Sequence, residues 1–290
     1  MYIIGIDIGG TKISAGLVHN RKIIRKIKEG TKTGKKALLM QLVDMIKWCI
    51  RDIDKSRIKG VGIGCPGPAN YKTGLIINPP NLPQLRKVNI KRYVERRLKL
   101  KTRVDNDVHV IAIAEQKFGQ GRKLKNFLVV AIGTGVGSGI ILDGRHYEGI
   151  GNAGEIGATI IDRSKKARAY GKGSLEGLAS GAAIVKTAKR IFGRELMASE
   201  LAKMARKGNK RAKKILEQAG RYIGVGLANI VNMYDPELII LAGGVRESGS
   251  YIINAARQEL RRLVNHRACK VVWSRLDDPG VLGAAALFLD

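Results

Sequence analysis

Residues Asp7–Ser14 read DIGGTKIS, and this stretch turns one apolar segment, Tyr2–Ile6, back into another, Ile13–Val18. Residues Ala131–Ser138 read AIGTGVGS. Aligned residue by residue, the two stretches share an Ile, a Gly and a Ser in register, and each predicts a strand, a glycine-rich turn and a returning strand. The sequence therefore predicts one supersecondary unit used twice, in two similar lobes. Chance similarity is the alternative, because glycine turns between strands are common.

The residues around the two turns follow a mixed α/β pattern, in which short apolar strands alternate with segments of helical periodicity. The predicted strands are 2–6, 13–18, 23–27, 61–63, 102–104, 126–132, 139–142, 238–242 and 270–274, and the predicted helices are 35–54, 90–99, 107–118, 176–191, 197–206, 210–233, 248–263 and 280–288. The pair Asp143-Gly144 predicts a hairpin turn in the second half of the chain.

Composition excludes several classes of protein. Hydrophobic residues make up 44% of the 290 residues, which is enough for sizeable cores and excludes a disordered chain. The cysteines Cys49, Cys65 and Cys269 are odd in number and widely spaced, so neither a disulfide framework nor a cysteine metal site is indicated. No apolar run approaches the roughly 18–20 residues of a membrane span. We therefore expect a cytoplasmic protein that does not contact a membrane.

The charge of the chain is strongly basic. It carries 53 basic and 24 acidic residues, and therefore a net charge of +29. Such an excess suits a polyanionic partner, an anionic membrane face, an anionic substrate or a Lys/Arg-rich solvated surface. Only 5% of the residues are aromatic and no base-reading element is recognisable, so binding of nucleic acid is disfavoured.

The glycine turns have a chemistry that suits phosphate groups. Glycine lets backbone N–H groups approach phosphate oxygens closely, and a nearby threonine adds a hydroxyl donor. Two such turns facing one another could hold the β- and γ-phosphates of a nucleotide. Asp7, at the head of the first turn, could orient a magnesium ion through water. Two ordinary hairpins with an exposed aspartate are the alternative interpretation.

Several acidic residues lie where a substrate hydroxyl could be bound. The triplet Asp105-Asn106-Asp107 directly precedes a predicted helix, where Asn or Asp is the usual N-cap. Alternatively, one of its carboxylates accepts a proton from a substrate hydroxyl, a role that contributes about 10²–10⁴ in rate. Glu155 and Glu176 lie in or beside glycine-rich stretches, which suits acceptance of hydrogen bonds from sugar hydroxyls as well as an ordinary surface position.

Taken in order, five motifs resemble the ROK family of sugar kinases, within the actin-like ATPase superfamily. They are Asp7–Lys12, Asn106-Asp107, Gly133–Gly137, Ala153–Gly157 and Leu238–Val245, and the resemblance runs from about residue 3 to residue 288. Each motif alone is weak, but their order and spacing together are specific.

The resemblance implies an α/β fold with two actin-like (ribonuclease H-like) lobes and an active-site cleft between them. We expect the N-terminal lobe to comprise residues 1–108 and 280–290, and the C-terminal lobe to comprise 109–279. It also implies ATP and Mg²⁺ as cofactors, and we expect a homo-oligomer, either a dimer or a tetramer.

The resemblance also assigns roles to individual residues. Asp107 would be the catalytic base. The residues implied in sugar binding are Gly67, Asn81, Asn106, Asp107, Glu155 and Glu176. Those implied in binding the nucleotide are Asp7, Gly9, Gly10, Thr11, Lys12, Gly133, Thr134, Gly135, Gly137, Gly243 and Gly244, and Asp7 would also hold Mg²⁺, through water.

The sequence departs from the family pattern at several positions. Ala158 stands where the family usually has a histidine, and Ser174 stands where the last residue of a cysteine cluster is expected. The resemblance therefore implies that the structural zinc of the family is absent, and the missing histidine leaves the choice of sugar open. His109 replaces a common asparagine, and we interpret it as a hydrogen-bonded histidine in the first turn of a helix, with a role in specificity as the alternative.

These observations favour a hexokinase of glucokinase type, which transfers the γ-phosphate of ATP to the 6-hydroxyl of a hexose, glucose above all. An N-acetylhexosamine kinase, for N-acetylmannosamine or N-acetylglucosamine, is the nearest enzymatic alternative. A non-catalytic sensor of sugar or nucleotide is the alternative from another class. A DNA-reading module ahead of Asp7 is not expected, since six residues precede it.

Overall fold

The structure is a computed structural model that describes residues 1–163, 166–265 and 269–289. Within these ranges the chain forms two compact units. Unit 1 comprises Met1–Lys123, His146–Ala153 and Arg275–Asp290, and unit 2 comprises Leu124–Arg145 and Gly154–Ser274.

Strands and helices alternate along the chain. The strands are β1 (Tyr2–Ile8), β2 (Lys12–His19), β3 (Lys22–Gly30), β4 (Ile58–Cys65), β5 (Ala69–Asn70), β6 (Leu75–Ile76), β7 (Val88–Asn89), β8 (Thr102–Asn106), β9 (Phe127–Ile132), β10 (Val136–Leu142), β11 (Arg145–His146), β12 (Leu238–Ala242) and β13 (Lys270–Trp273). The α-helices are α1 (Lys35–Cys49), α2 (Ile90–Leu98), α3 (Asp107–Lys117), α4 (Leu175–Ala179), α5 (Gly181–Phe192), α6 (Ala198–Arg206), α7 (Lys210–Tyr234), α8 (Ser250–Leu263) and α9 (Pro279–Ala286). Among the described residues, no helix combines the length and the apolar character that crossing a membrane requires.

The two units repeat one sheet topology. In unit 1 the strand order is β3-β2-β1-β4-β8, with β1, β2 and β3 antiparallel and with β4 and β8 parallel to β1. In unit 2 the order is β11-β10-β9-β12-β13, with β9 and β10 antiparallel and with β12 and β13 parallel to β9. The predicted duplication is confirmed. The two glycine turns, between β1 and β2 and between β9 and β10, hold the same place in their sheets.

Strand β1 is apolar along most of its length because helices cover both of its faces. Its side chains alternate between the faces: Ile4 and Ile6 join the core cluster that contains α1, whereas Ile3 packs with residues of α9. By the same alternation, Asp7 shares the face of Ile3 and Gly5. The period of the strand therefore directs the Asp7 carboxylate toward α9.

Two glycines let α9 approach this sheet at backbone distance. A Cβ atom on Gly5 of β1 would lie 2.0 Å from the carbonyl oxygen of Val281, and one on Gly62 of β4 would lie 1.7 Å from that of Ala284. Such distances are far below van der Waals contact, so any side chain at either position would displace the helix. This close packing brings the first turn of α9 to the end of β1, where Asp7 lies.

Two predicted boundaries differ from the structure. The predicted lobes, 1–108 with 280–290 and 109–279, divide the chain at the start of α3, but α3 packs on β4, β8 and α9 and so lies in unit 1. The single helix predicted over 176–191 is two helices, α4 and α5. They separate at Ser180, whose hydroxyl accepts a hydrogen bond from the backbone N–H of Ala183 and thereby caps α5.

Candidate active site

The first glycine turn is held by hydrogen bonds within unit 1. The N–H of Gly9 donates to the carbonyl oxygen of Lys12 at 2.9 Å, which closes the turn. The hydroxyl of Thr31 donates to the carbonyl oxygen of Gly9 at 2.8 Å. The N–H of Thr31 donates to the carbonyl oxygen of Thr11 at 3.0 Å. Thr31 was not predicted, because no local pattern marks a residue at the end of β3 as the partner of a turn after β1.

The first turn lies against the loop that contains Asn81. A Cβ atom on Gly10 would lie 2.9 Å from the carbonyl oxygen of Asn81 and 3.3 Å from its Cβ. Glycine is therefore required at position 10 for this approach. The structure thus brings together two residues that the resemblance assigns to different ligands, Gly10 to the nucleotide and Asn81 to the sugar.

Asp7 lies at the end of β1 in a cramped and negatively charged setting. A Cβ atom on Gly280, in the first turn of α9, would lie 2.4 Å from Oδ2 of Asp7, so only glycine leaves room for the carboxylate there. Burial raises the pKa of Asp7 to about 7, and the negative charge of Asp107 acts in the same direction, while Lys28 opposes both. Gly280 was not predicted, because it follows Asp7 only in space.

These surroundings fit a divalent cation at Asp7. Two carboxylates, those of Asp7 and Asp107, lie close enough for one to raise the pKa of the other. Mg²⁺ prefers oxygen ligands and retains several of its waters. A hard cation would relieve the repulsion between the two acids, so these residues fit Mg²⁺, and its binding here stays a prediction.

The start of α3 shows which residue of the triplet is the N-cap. Oδ1 of Asn106 accepts hydrogen bonds from the N–H groups of Val108 at 2.8 Å and of His109 at 3.3 Å, so Asn106 is the N-cap. Asp107 is the first residue of the helix, and its Oδ1 also accepts a hydrogen bond from the N–H of Val108, at 3.1 Å. The carboxylate of Asp107 therefore lies at the positive end of the helix.

Tyr71 joins two of the predicted sugar-binding residues. The amide Nδ2 of Asn106 donates to the hydroxyl of Tyr71 at 3.1 Å. A Cβ atom on Gly67 would lie 2.6 Å from the same hydroxyl, so Gly67 leaves the space that Tyr71 occupies. Burial raises the pKa of Tyr71 well above its usual range. Sequence reasoning missed Tyr71, which carries no motif of its own.

The second glycine turn, in unit 2, is braced by Glu176. The N–H of Gly133 donates to the carbonyl oxygen of Gly135 at 2.9 Å, and the N–H of Val136 donates to Oε2 of Glu176 at 2.9 Å. A Cβ atom on Gly135 would lie 2.4 Å from the same oxygen. Burial raises the pKa of Glu176, although the bond from Val136 lowers it. The structure therefore places Glu176, predicted at the sugar, against the turn itself.

The remaining predicted residues of unit 2 flank this turn. Gly243, directly after β12, has a φ of +94°, and a Cβ atom there would lie 2.4 Å from the carbonyl oxygen of Ile132, the last residue of β9. Gly244 begins a short 3₁₀ helix. The exposed residue Thr134 lies in the turn, and Gly137 is the second residue of β10.

Glu155 has a partner that the sequence did not indicate. Its Oε2 accepts a hydrogen bond from the hydroxyl of Tyr170 at 2.8 Å. The loop before it is fixed by Ser138, whose hydroxyl donates to the carbonyl oxygen of Gly154 at 2.8 Å. The negative charge of Glu155 adds to the forces that raise the pKa of Glu176, so these two acids belong to one electrostatic group.

Ser174 and Ala158 stand at positions where the resemblance to the family leads one to expect a cysteine and a histidine. The hydroxyl of Ser174 accepts from the N–H of Gly177 at 3.1 Å and donates to the carbonyl oxygen of Gly171 at 2.8 Å, so it caps α4. Ala158 ends a 3₁₀ helix and has no ligand atom. The absence of structural zinc stays a prediction.

His109 is confirmed as a hydrogen-bonded histidine. Its Nδ1 lies 3.0 Å from Oδ1 of Asp105, and its Nε2 lies 3.3 Å from the carbonyl oxygen of Ala153. Burial lowers the pKa of His109, but the hydrogen bond and charge of Asp105 outweigh it, and the net shift is upward.

Known proteins resemble this chain in sequence and in fold. Residues 3–290 match the sequence pattern of the ROK family. A glucokinase of Streptomyces coelicolor is 30% identical over 98% of this chain and 96% of its own length, and a xylose repressor of Caldicellulosiruptor bescii is 28% identical over 99% of this chain and 78% of its own. The crystal structure of a ROK family glucokinase from Streptomyces griseus, in complex with glucose and AMPPNP, is 27% identical, with a TM-score of 0.89 over 99% of both chains.

Proposed function

Because this chain belongs to the ROK family, we propose that it is an ATP-dependent hexokinase of glucokinase type, which transfers the γ-phosphate of ATP to the 6-hydroxyl of glucose. The predicted α/β fold of actin-like type is confirmed by the structural similarity to the S. griseus enzyme. Phosphorylation of a sugar by ATP is the activity common to the kinase relatives. That the sugar is glucose, and that the phosphate goes to its 6-hydroxyl, are parts of the proposal.

The observation that carries the proposal is the electrostatic coupling of Asp107 and Asp7. Asp107 begins α3, and Asn106 directly before it is the N-cap. Asp107 also raises the pKa of Asp7, which shows that the two acids lie in one electrostatic environment. A base beside a magnesium-binding carboxylate is the arrangement that phosphoryl transfer to a hydroxyl requires.

In the proposed reaction, Asp107 accepts the proton of the sugar hydroxyl while the hydroxyl oxygen bonds to the γ-phosphorus and the bond to the ADP oxygen breaks. The N–H groups of Gly10 and Thr11, and those of Thr134 and Gly135, donate to phosphate oxygens. Asn81, Asn106 and Glu155 bind the sugar. Mg²⁺, when bound through Asp7, supplies charge neutralisation at the phosphates.

The variant Asp107→Asn tests the role of the base. We expect kcat to fall by about 10²–10⁴ because proton acceptance is lost, while the KM for the sugar changes little. The matched control is Asp44→Asn, which makes the same change at an exposed aspartate of α1 and should leave both constants unchanged. A fall in kcat of less than tenfold for Asp107→Asn would refute the assignment.

An N-acetylhexosamine kinase is the second candidate, and Ala158 is the observation that favours it. A family histidine that would contact the sugar is replaced by a methyl group, which leaves space for a larger substituent on the second carbon of the sugar. A coupled assay comparing glucose, mannose, fructose, N-acetylmannosamine and N-acetylglucosamine decides between the candidates. The highest kcat/KM with an acetylated sugar would replace glucose in the proposal. The same assay with ATP, ADP and polyphosphate identifies the phosphoryl donor.

A non-catalytic sensor is the candidate from another class, and the xylose repressor relative favours it. A sensor would bind sugar or nucleotide, as measured by calorimetry, without forming a sugar phosphate. Turnover that disappears in Asp107→Asn would exclude it.

A further inference from the structure

A cluster of three potential metal ligands lies in unit 1 outside the residues assigned to catalysis. It consists of Asp105 at the end of β8, His109 in the first turn of α3 and His146 at the end of β11. One ligand atom from each lies within 4.8 Å of the other two. Asp105 and His109 are buried, and the side chain of His146 is only 10% exposed.

One of the two hydrogen bonds of His109 is of the kind that supports a metal ligand. A carbonyl oxygen can only accept, so the Nε2 atom facing the carbonyl of Ala153 carries a hydrogen. The other nitrogen, Nδ1, is hydrogen-bonded to the carboxylate of Asp105 at 3.0 Å, and an ion bound between the two would replace the proton of this bond, which leaves to solvent. Histidines that bind metals usually donate their remaining N–H to a backbone carbonyl or a carboxylate, which fixes the ring. Ala153 provides this support to His109.

His146 contributes a buried nitrogen without a partner. Its Nε2 atom is inaccessible to solvent and makes no hydrogen bond within the described residues. Its Nδ1 atom lies 3.7 Å from Oε1 of the exposed Glu148, and its ring meets that of His109 edge to face, at 4.4 Å between centroids. A buried polar atom left unsatisfied destabilises the folded state, and ligation of an ion by the ring would offset this cost.

We propose that Asp105, His109 and His146 form a binding site for one Zn²⁺ ion or a similar borderline transition-metal ion. Two imidazoles and a carboxylate are ligands that such ions prefer, whereas Mg²⁺ and Ca²⁺ prefer oxygen alone. Ligand atoms around a tetrahedral ion lie about 3.4 Å apart, given bonds of about 2.1 Å. The pair Asp105–His109 already fits this separation, and His146 must move by no more than about 1.5 Å.

The site is distinct from the cysteine cluster of the family, since Ala158 and Ser174 take no part in it. It is also distinct from Asp7, where oxygen ligands suit Mg²⁺. An ion here fastens the segment 146–153 to α3, because His146 binds the ion at one end of that segment and Ala153 holds His109 at the other. The proposal does not depend on the proposed kinase activity.

The test uses the full chain, which is first freed of metal with a chelator. It is then titrated with Zn²⁺ or Co²⁺ in a buffer that contains excess Mg²⁺. Zn²⁺ binding is measured by calorimetry, Co²⁺ binding by visible absorption, and the effect on segment 146–153 by amide hydrogen exchange. We expect one ion per chain, Co²⁺ bands typical of nitrogen and oxygen ligands, and slower exchange over 146–153. Failure to bind a stoichiometric ion, or thiolate charge-transfer bands in the Co²⁺ spectrum, would overturn the proposal.

The variant His146→Leu removes one ligand. We expect its affinity for Zn²⁺ to fall by more than about 100-fold, since even loss of a group that only orients a ligand costs about 10–100-fold. The metal-free variant should be at least as stable as the wild type, because the unpartnered nitrogen is gone. His146→Gln gives a second, polar replacement should the leucine variant fail to fold. His19→Gln, which changes a histidine outside the cluster, is the matched control. Unchanged Zn²⁺ affinity in either His146 variant would refute the site.

Discussion

The two glycine turns occupy the same place in their sheets, but the acidic residue that lies beside each turn comes from a different element. In unit 1 the acid is Asp7, on the strand that enters the turn. The corresponding residue in unit 2 is Ala131, and the acid there is Glu176, which reaches the turn from helix α4. The duplicated topology therefore carries two different chemical arrangements.

The two acids also differ in how they are compensated. Oε2 of Glu176 accepts a hydrogen bond from the N–H of Val136, and its carboxylate braces the turn. Asp7 has a like charge near it instead: burial, together with the negative charge of Asp107, raises the pKa of Asp7 to about 7. Charge that is left poorly compensated is typical of functional sites. We infer from this comparison that the charge at the turn of unit 1 favours binding of a cation. The hydrogen bond to Glu176 instead fixes the conformation of the turn of unit 2.

Of the two acids at the turns, the acid of unit 1 should have the larger effect when it is removed. We expect Asp7→Asn to lower kcat by about 10²–10³, the size of effect seen when one group that stabilises transition-state charge is removed. Steady-state kinetics over a series of Mg²⁺ concentrations measure this, with Asp44→Asn as the control. If Asp7→Asn kept wild-type kcat and Mg²⁺ dependence, the turn of unit 1 would be only a structural hairpin.

The same residue should make stability depend on pH. The folded pKa of Asp7, about 7, is above its ordinary value of 3.8, so between these values the folded state binds more protons than the unfolded state. The free energy of unfolding should therefore decrease as pH rises from about 4 to about 7 and change no further above that.

The difference is at most about 4 kcal/mol, at 1.36 kcal/mol per pKa unit, and less than this because Asp7 is only half-buried. Denaturant unfolding of wild type and Asp7→Asn from pH 4 to 8 measures it. The variant should be more stable than the wild type above pH 7 and equal to it near pH 4. Parallel pH profiles for the two proteins would contradict the prediction.

Removing the acid of unit 2 should have a smaller effect of another kind. Glu176→Ala leaves the N–H of Val136 without its acceptor, which should cost about 1–3 kcal/mol of stability and raise the KM for ATP rather than that for the sugar. Glu176→Gln retains an acceptor oxygen and should restore much of the loss. A rise confined to the KM for the sugar would show that Glu176 binds the sugar, as the family resemblance implies.

The smallest effect should come from Thr31, which holds the turn of unit 1 by a single side-chain bond. Thr31→Val keeps the shape of the side chain and loses the bond to the carbonyl oxygen of Gly9, so we expect a loss of about 1 kcal/mol and a modest rise in the KM for ATP. Thr33→Val, at a nearby exposed threonine, is the control. Equal ATP kinetics in the two variants would mean that Thr31 does not position the turn.

Features encoded by neighbours in the chain were predictable. Alternation of apolar residues and clusters of glycine identified the long strands of both five-stranded sheets and both turns, but not the two-residue strands β5, β6 and β7. The triplet ending in Asp107 indicated a capped helix that carries an acid. The order of the motifs indicated the family. What could not be predicted were partners distant in the chain, such as Thr31 for Gly9, Tyr71 for Asn106 and Gly280 for Asp7, because sheet topology and helix packing bring them together.

The sequence by itself determined the duplicated strand–turn–strand pattern, since side-chain periodicity and glycine conformation are local properties. Only the tertiary structure decided which acid braces a glycine turn and which acids lie close enough to raise one another's pKa. Burial, hydrogen bonding and the charge of neighbouring groups set the energy of a carboxylate, and each of these depends on what the folded chain packs against it.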